Sequence, residues 1–158
     1  MSDLKAVVVQ CGNEDYAIPV EAVVSIERLE QVNPIPHLPD YMLGLMRIRG
    51  ELVPILDFEQ ILYGRSAKGY EDARVVVVQT ESLFIGLLVL DAKEILDIPE
   101  SMMTSAGLMA YSRTPYFTTV ANLEDRMITV VDPEILSKTL AGMDAIGEFV
   151  AAQLAQEQ

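Results

Sequence analysis

Short apolar runs of five to eight residues, separated by turn-forming residues, recur along the chain. They predict strands at Lys5–Cys11, Asp15–Pro19, Val24–Leu29, Leu45–Arg49, Glu51–Leu56, Ala73–Thr80, Leu83–Leu90, Glu94–Ile98, Tyr116–Leu123 and Met127–Val131. Val and Ile dominate them, and β-branched side chains suit a half-buried pleated surface. Gly12-Asn13-Glu14 and Arg49-Gly50-Glu51 read as tight reversals. Pro54 inside a run predicts an edge strand or a bulge, because proline has no N–H for the ladder.

Helical content is predicted to be minor. Asp57 and Asp132 stand as N-caps before Phe58–Tyr63 and Pro133–Leu140, the second with proline at its first position. Asp144–Gln156 carries Ile146, Phe149, Val150 and Leu154 at helical spacing. That amphipathic helix is expected to dock on the rest of the chain rather than to mediate self-association.

An internal repeat underlies these elements. Leu52–Asp57 resembles Met127–Asp132, an offset of 75 residues between Asp57 and Asp132. Ala17–Ile26 overlays Gly86–Ile95 at an offset of 69. Two copies are too few for an open solenoid, so two small barrels sharing an interface are expected.

Composition narrows the function. The 158 residues hold 24 Asp and Glu against 11 Lys and Arg, a net charge of −13. Phosphate backbones and anionic lipid are repelled by such a surface, so neither nucleic acid nor membrane is an expected partner. The hydrophobic fraction of 51% supports a packed core without metal or disulfide. A single cysteine, no secretory pattern at Met1–Lys5 and no apolar run long enough to span a bilayer point to a soluble, cytoplasmic protein.

Catalytic readings find little support. His37, the one histidine, lies in the proline-rich stretch Asn33–Pro39, and Cys11 lies in an apolar strand where packing is the usual role. One Cys and one His supply no zinc set without carboxylates, and no glycine-rich phosphate loop is present. The acidic pairs Glu14-Asp15, Glu71-Asp72 and Glu124-Asp125 sit beside turns, where charge serves solvation. A hydrolase or ligand-binding barrel remains the alternative from another class, and a deep polar pocket would mark it. No enzyme activity, cofactor or metal is expected. The methionines Met42, Met46, Met102, Met103, Met109 and Met127 read first as core filling and second as an adaptable surface. Thr104–Thr114 reads as a mobile loop.

The stretch Tyr41–Asp57 resembles the hallmark of CheW-like domains, in which an apolar strand ends in Arg-Gly, returns through a proline-containing strand and closes on an aspartate. Tyr16–Val20 with Val23 and Ile26 is similar to that family's second and third strands. Pro34, Pro36 and Pro39 resemble its connection into a short helix before Gly44, and Phe84–Val89 with Asp125–Asp132 resemble its second half. The likeness covers about residues 3 to 140. It implies a mostly β protein of two packed, five-stranded SH3-like barrels, with residues 1–142 as one domain and 143–158 as a C-terminal helix and tail. It further implies a chemotaxis scaffold at receptor arrays, holding the cytoplasmic tip of chemoreceptors and the regulatory domain of the histidine kinase CheA. By position, Val23, Gly44 and Arg49 fall on the receptor-binding groove. Arg47, Ser25, Leu90 and Thr119 depart from the family pattern, as expected of a paralogue in another chemosensory array that binds one partner class.

Overall fold

The computed structural model describes residues 3–105 and 114–156. Its strands are β1 (Leu4–Cys11), β2 (Glu14–Pro19), β3 (Val23–Glu27), β4 (Met42–Ile48), β5 (Glu51–Asp57), β6 (Arg74–Gln79), β7 (Phe84–Val89), β8 (Asp91–Ile98), β9 (Met103–Ser105), β10 (Phe117–Asn122) and β11 (Met127–Val131). Three helices accompany them, α1 (Phe58–Tyr63), α2 (Pro133–Thr139) and α3 (Met143–Gln156). All ten expected strands are present, and β9 is an addition. The expected loop at Thr104–Thr114 begins inside β9 and otherwise lies largely outside the described residues.

Two sheets form two packed β subdomains. One runs β8-β1-β2-β11-β10-β9 and the other β3-β6-β7-β5-β4. The second has the five strands expected; the first has a sixth, the three-residue β9. Their chain order shows an exchange between the repeats. Hairpin β1–β2 of the first half completes the sheet of β8, β10 and β11, while hairpin β6–β7 of the second half completes that of β3, β4 and β5.

Pairing registers confirm the repeat residue by residue. Val8↔Ala17 in the first hairpin becomes Val77↔Gly86 in the second, 69 positions on. Leu45↔Pro54 becomes Val120↔Thr129, 75 positions on. The parallel pair Val130↔Ala17 answers Ile55↔Gly86 through both offsets at once. Even the irregularities repeat, with register shifts at Met42/Gly44 and Phe117/Thr119.

Burial explains why so many strands read as unbroken apolar runs. In β1, Val7, Val9 and Cys11 face a core shared between the sheets, while Ala6 and Val8 face the interior of their own subdomain. In β6, Val76 and Val78 join the shared core and Val75 and Val77 the second interior. A strand buried on both faces has no polar alternation to display.

Pro54 is not on an edge strand, because β5 lies between β7 and β4, and the irregularity beside it is the bulge of β4 at Met42/Gly44. Leu45 spends both backbone groups on Asn33, at 3.0 Å each. Leu45 and Pro54 are therefore a non-hydrogen-bonded pair, and the Pro54 nitrogen points toward β7, whose ladder starts one residue later at Ile55. The proline therefore costs no bond to β4, and the ladder with β7 begins only beyond it, two positions later than in the equivalent pair β11–β2.

α3 packs through Met143, Ile146 and Val150, all in the shared core, whereas Leu154 is exposed. The helix therefore docks on its own chain, as expected. Ile146→Ala is expected to cost about 2–4 kcal/mol in urea unfolding, the range for truncating a fully buried aliphatic residue. A cost near zero would show that α3 contributes nothing to the cooperative core.

Candidate protein-interaction surface

Arg49 occupies the tip of hairpin β4–β5. Ile48 pairs with Glu51, so the turn has two central residues, Arg49 at φ 53° and Gly50 at φ 85°. Positive φ at both is the type I′ turn that matches strand twist, and at Arg49 it is sustained against the Cβ penalty. The guanidinium is held outward, with a side-chain exposure of 73%. Its Nε lies 3.5 Å from Glu27 Oε2 at the end of β3, an oxygen that is buried and makes no hydrogen bond. Arg47 Nη1 donates to the Gly50 carbonyl at 3.2 Å and steadies the same turn.

The Glu27 contact sets Arg49 at the end of edge strand β3, along which Val24 and Ile26 are exposed at 46% and 43%. Ile95 on β8 occupies the repeat position of Ile26 and is exposed too. An edge strand bearing exposed apolar side chains and ending in an exposed arginine is a candidate contact surface for another protein.

Val23 and Gly44 lie on the same strands, β3 and β4, but face inward. Val23 pairs with Val78 and packs half-buried against the shared core. Gly44 sits within β4, at a bulge with φ 144°, and no helix precedes it: residues 36–41 form turns. Those turns stand in place of the short helix expected there, and before them a strap, residues 28–34, bridges through Asn33 to Leu45. A Cβ on Gly44 would lie 2.2 Å from the Asn33 carbonyl oxygen, so the glycine admits the strap.

Two carboxylates escaped the reading of the sequence. Glu59, in the first turn of α1, is buried, with 1% of its surface exposed. It accepts from the Gly12 N–H at 2.6 Å and from Arg65 Nε at 2.8 Å. Glu134 holds the same place in α2 and accepts from the Glu81 N–H at 2.7 Å. Gly12 and Glu81 are repeat positions at the tips of the two exchanged hairpins. Each capped helix therefore clasps the hairpin that its own half donates to the other sheet. The caps are equivalent as well: Asp57 accepts from the Gln60 N–H, and Asp132 from those of Glu134 and Ile135. The signal was available, an acid two residues beyond each capping aspartate.

The chemistry-bearing candidates do not assemble a reacting site. Cys11 is buried, and its burial, with Glu59 and then Asp57 adding to it, pushes the thiol up and keeps it protonated. His37 is exposed at φ 69°. Asp15 is tied to Lys93 at 3.0 Å and Arg126 at 3.4 Å, and Glu71, Asp72, Glu124 and Asp125 are exposed. Among the described residues, no three His, Cys, Asp or Glu side chains cluster to hold a metal, and no helix is long and apolar enough to cross a membrane. The methionines divide: Met42 and Met46 are core, Met102 and Met127 are exposed, and Met109 lies outside the described residues.

Residues 5–140 match the family profile described as a CheW-like domain. The chain is 29% identical over 141 residues to chemotaxis protein CheW of Klebsiella aerogenes, covering 87% of this chain and 84% of that one. It is 28% identical over 122 residues to chemotaxis protein CheW of Rhizobium meliloti, covering 77% and 79%. The crystal structure of the scaffolding protein TtCheW from Thermoanaerobacter tengcongensis superposes with a TM-score of 0.73 at 21% identity, covering 86% of this chain and 88% of that chain.

Proposed function

The chain belongs to the CheW-like domain family, and on that premise we propose that it is a non-catalytic adaptor coupling chemoreceptors to the histidine kinase CheA. The observation that carries the reading is the match over residues 5–140, which spans both subdomains and the edge surface that ends at Arg49. In this reading the protein works in the cytoplasm beneath receptor arrays. Residues 1–142 act as one module and the helix beyond covers part of it. Arg49 meets the receptor tip, offering a rigid fork of donors to carbonyls or a carboxylate. Val23 and Gly44 support that surface from within, through the shared core and the strap.

Purified protein mixed with the CheA regulatory domain and a receptor cytoplasmic fragment, separately and together, tests the reading. Binding to both is expected; binding to neither overturns it. Binding to one class alone favours a CheW-like regulator in another array, a second reading motivated by Arg47, Ser25 and Leu90.

Arg49→Glu is expected to abolish receptor binding while leaving the melting temperature within a few degrees of the parent. An exposed ion pair such as Arg49–Glu27 contributes only about 0–1 kcal/mol. A large fall in melting temperature would make Arg49 a brace of the fold instead.

A further inference from the structure

The two copies of the repeat differ at the tips of their exchanged hairpins. Leu83 and Phe84 stand where the first hairpin has Glu14 and Asp15, and Leu52 stands where Met127 does. α3 lies over this apolar tip and has no counterpart in the first half. Its cover is incomplete. Leu52, Leu83 and Phe84 stay half-buried beneath it, Leu154 is 41% exposed, and a groove of about 750 Å³ runs between them.

The rim of the groove is predominantly acidic. Glu51, Glu81, Asp144 and Glu148 line it and are exposed. Lys138, the cation lining it, is engaged with Glu81 at 3.4 Å and Glu134 at 3.9 Å. An apolar floor inside a ring of carboxylates selects a partner with an apolar stripe flanked by cations. A second copy of this chain, at net charge −13, brings like charge to the rim.

We propose that this groove docks an amphipathic helix rich in lysine and arginine, supplied by another protein. Apolar residues of the helix at i, i+3, i+4 and i+7 meet Leu52, Leu83, Phe84 and Leu154. Its flanking cations pair with Glu51 and Glu148, and the chain's overall negative field raises the rate of encounter. α3 forms one wall, so the bound helix lies beside it.

The test uses the full chain and a leucine–lysine helical peptide of about four turns, comparable in length to α3. Calorimetry is expected to give one-to-one binding, with amide shifts in NMR spectra confined to Leu83, Phe84 and α3. Glu51→Lys with Glu148→Lys is expected to weaken binding at least about tenfold, because each change replaces attraction to a flanking cation with repulsion. Glu71→Lys with Glu124→Lys makes the same change of net charge away from the groove and should leave affinity nearly unaltered. Leu154→Ser should weaken binding without altering the fold, since that side chain is exposed. Equal losses from both charge pairs would reduce the binding to a diffuse field and overturn the proposal. So would shifts elsewhere, or no binding. No receptor or kinase fragment enters this experiment, so it stands or falls apart from the adaptor reading.

Discussion

Gly44→Ala is expected to destabilise the protein by about 3–5 kcal/mol, at the upper end of single-residue effects. Two independent costs combine. At φ 144° an alanine side chain is strained wherever it points. Its Cβ would also lie 2.2 Å from the Asn33 oxygen, 2.6 Å from the Asn33 carbonyl carbon and 2.7 Å from Val32 Cγ1. Two of those three atoms are backbone, so relief requires the strap to lift. Lifting it breaks both hydrogen bonds between Asn33 and Leu45. Urea unfolding with an unchanged slope would report the loss as stability. The variant also decides how Gly44 affects partner binding. If stability is intact and receptor binding is lost, Gly44 belongs to the contact surface, and its structural role here is wrong.

Glu59→Ala is expected to cost about 3 kcal/mol, and Glu134→Ala less than about 1 kcal/mol, although the two clasps are repeat equivalents. The difference follows from burial. Removing Glu59 strands the Gly12 N–H in a dry site and leaves a void beside α1. Tyr63 closes the neighbouring side of Gly12, where a Cβ would lie 2.8 Å from its ring. Tyr63 is fixed in turn by the 2.6 Å hydrogen bond between its hydroxyl and that of Tyr16. Glu134 is partly exposed, and water can replace it at the Glu81 N–H. Glu59→Gln, which keeps an acceptor, should fall between the two. Denaturation of the three variants, with hydrogen exchange at Gly12 and Glu81, measures the contrast. Equal costs for the two alanine variants would mean that burial does not set the strength of the clasp.

Strands, caps and the repeat were legible because each rests on local chemistry. Asp57 and Asp132 cap helices where the sequence placed them, and Arg49-Gly50 turns as read. The offsets of 69 and 75 proved to be pairing registers. Which sheet each hairpin joins was not legible, because β1–β2 and β6–β7 present the same double-faced apolar pattern to either partner. The start of β8 was hidden by Asp91-Ala92-Lys93-Glu94, whose polarity suits an edge strand facing solvent. Pro54 misled because an interior strand can hold a proline where the ladder on the side its nitrogen faces begins only after it. At the candidate surface, Arg49 was legible as a hairpin tip. The partnership of Gly44 with Asn33 was not, because a contact across a bulge leaves no periodic trace. Glu59 was overlooked because acids in a first helical turn are commonplace, and only its burial sets it apart.

Leu90 alone joins β7 in one sheet to β8 in the other, and its N–H is tied to the Gln10 carbonyl at 3.0 Å. The other crossing, Val20–Ala22, is a single 3-10 turn. Neither connection has slack. The two subdomains therefore cannot hinge about a linker, and a displacement imposed on either one is passed on as rotation of the whole body. A joint without play preserves the relative orientation of whatever is fastened to its two sides.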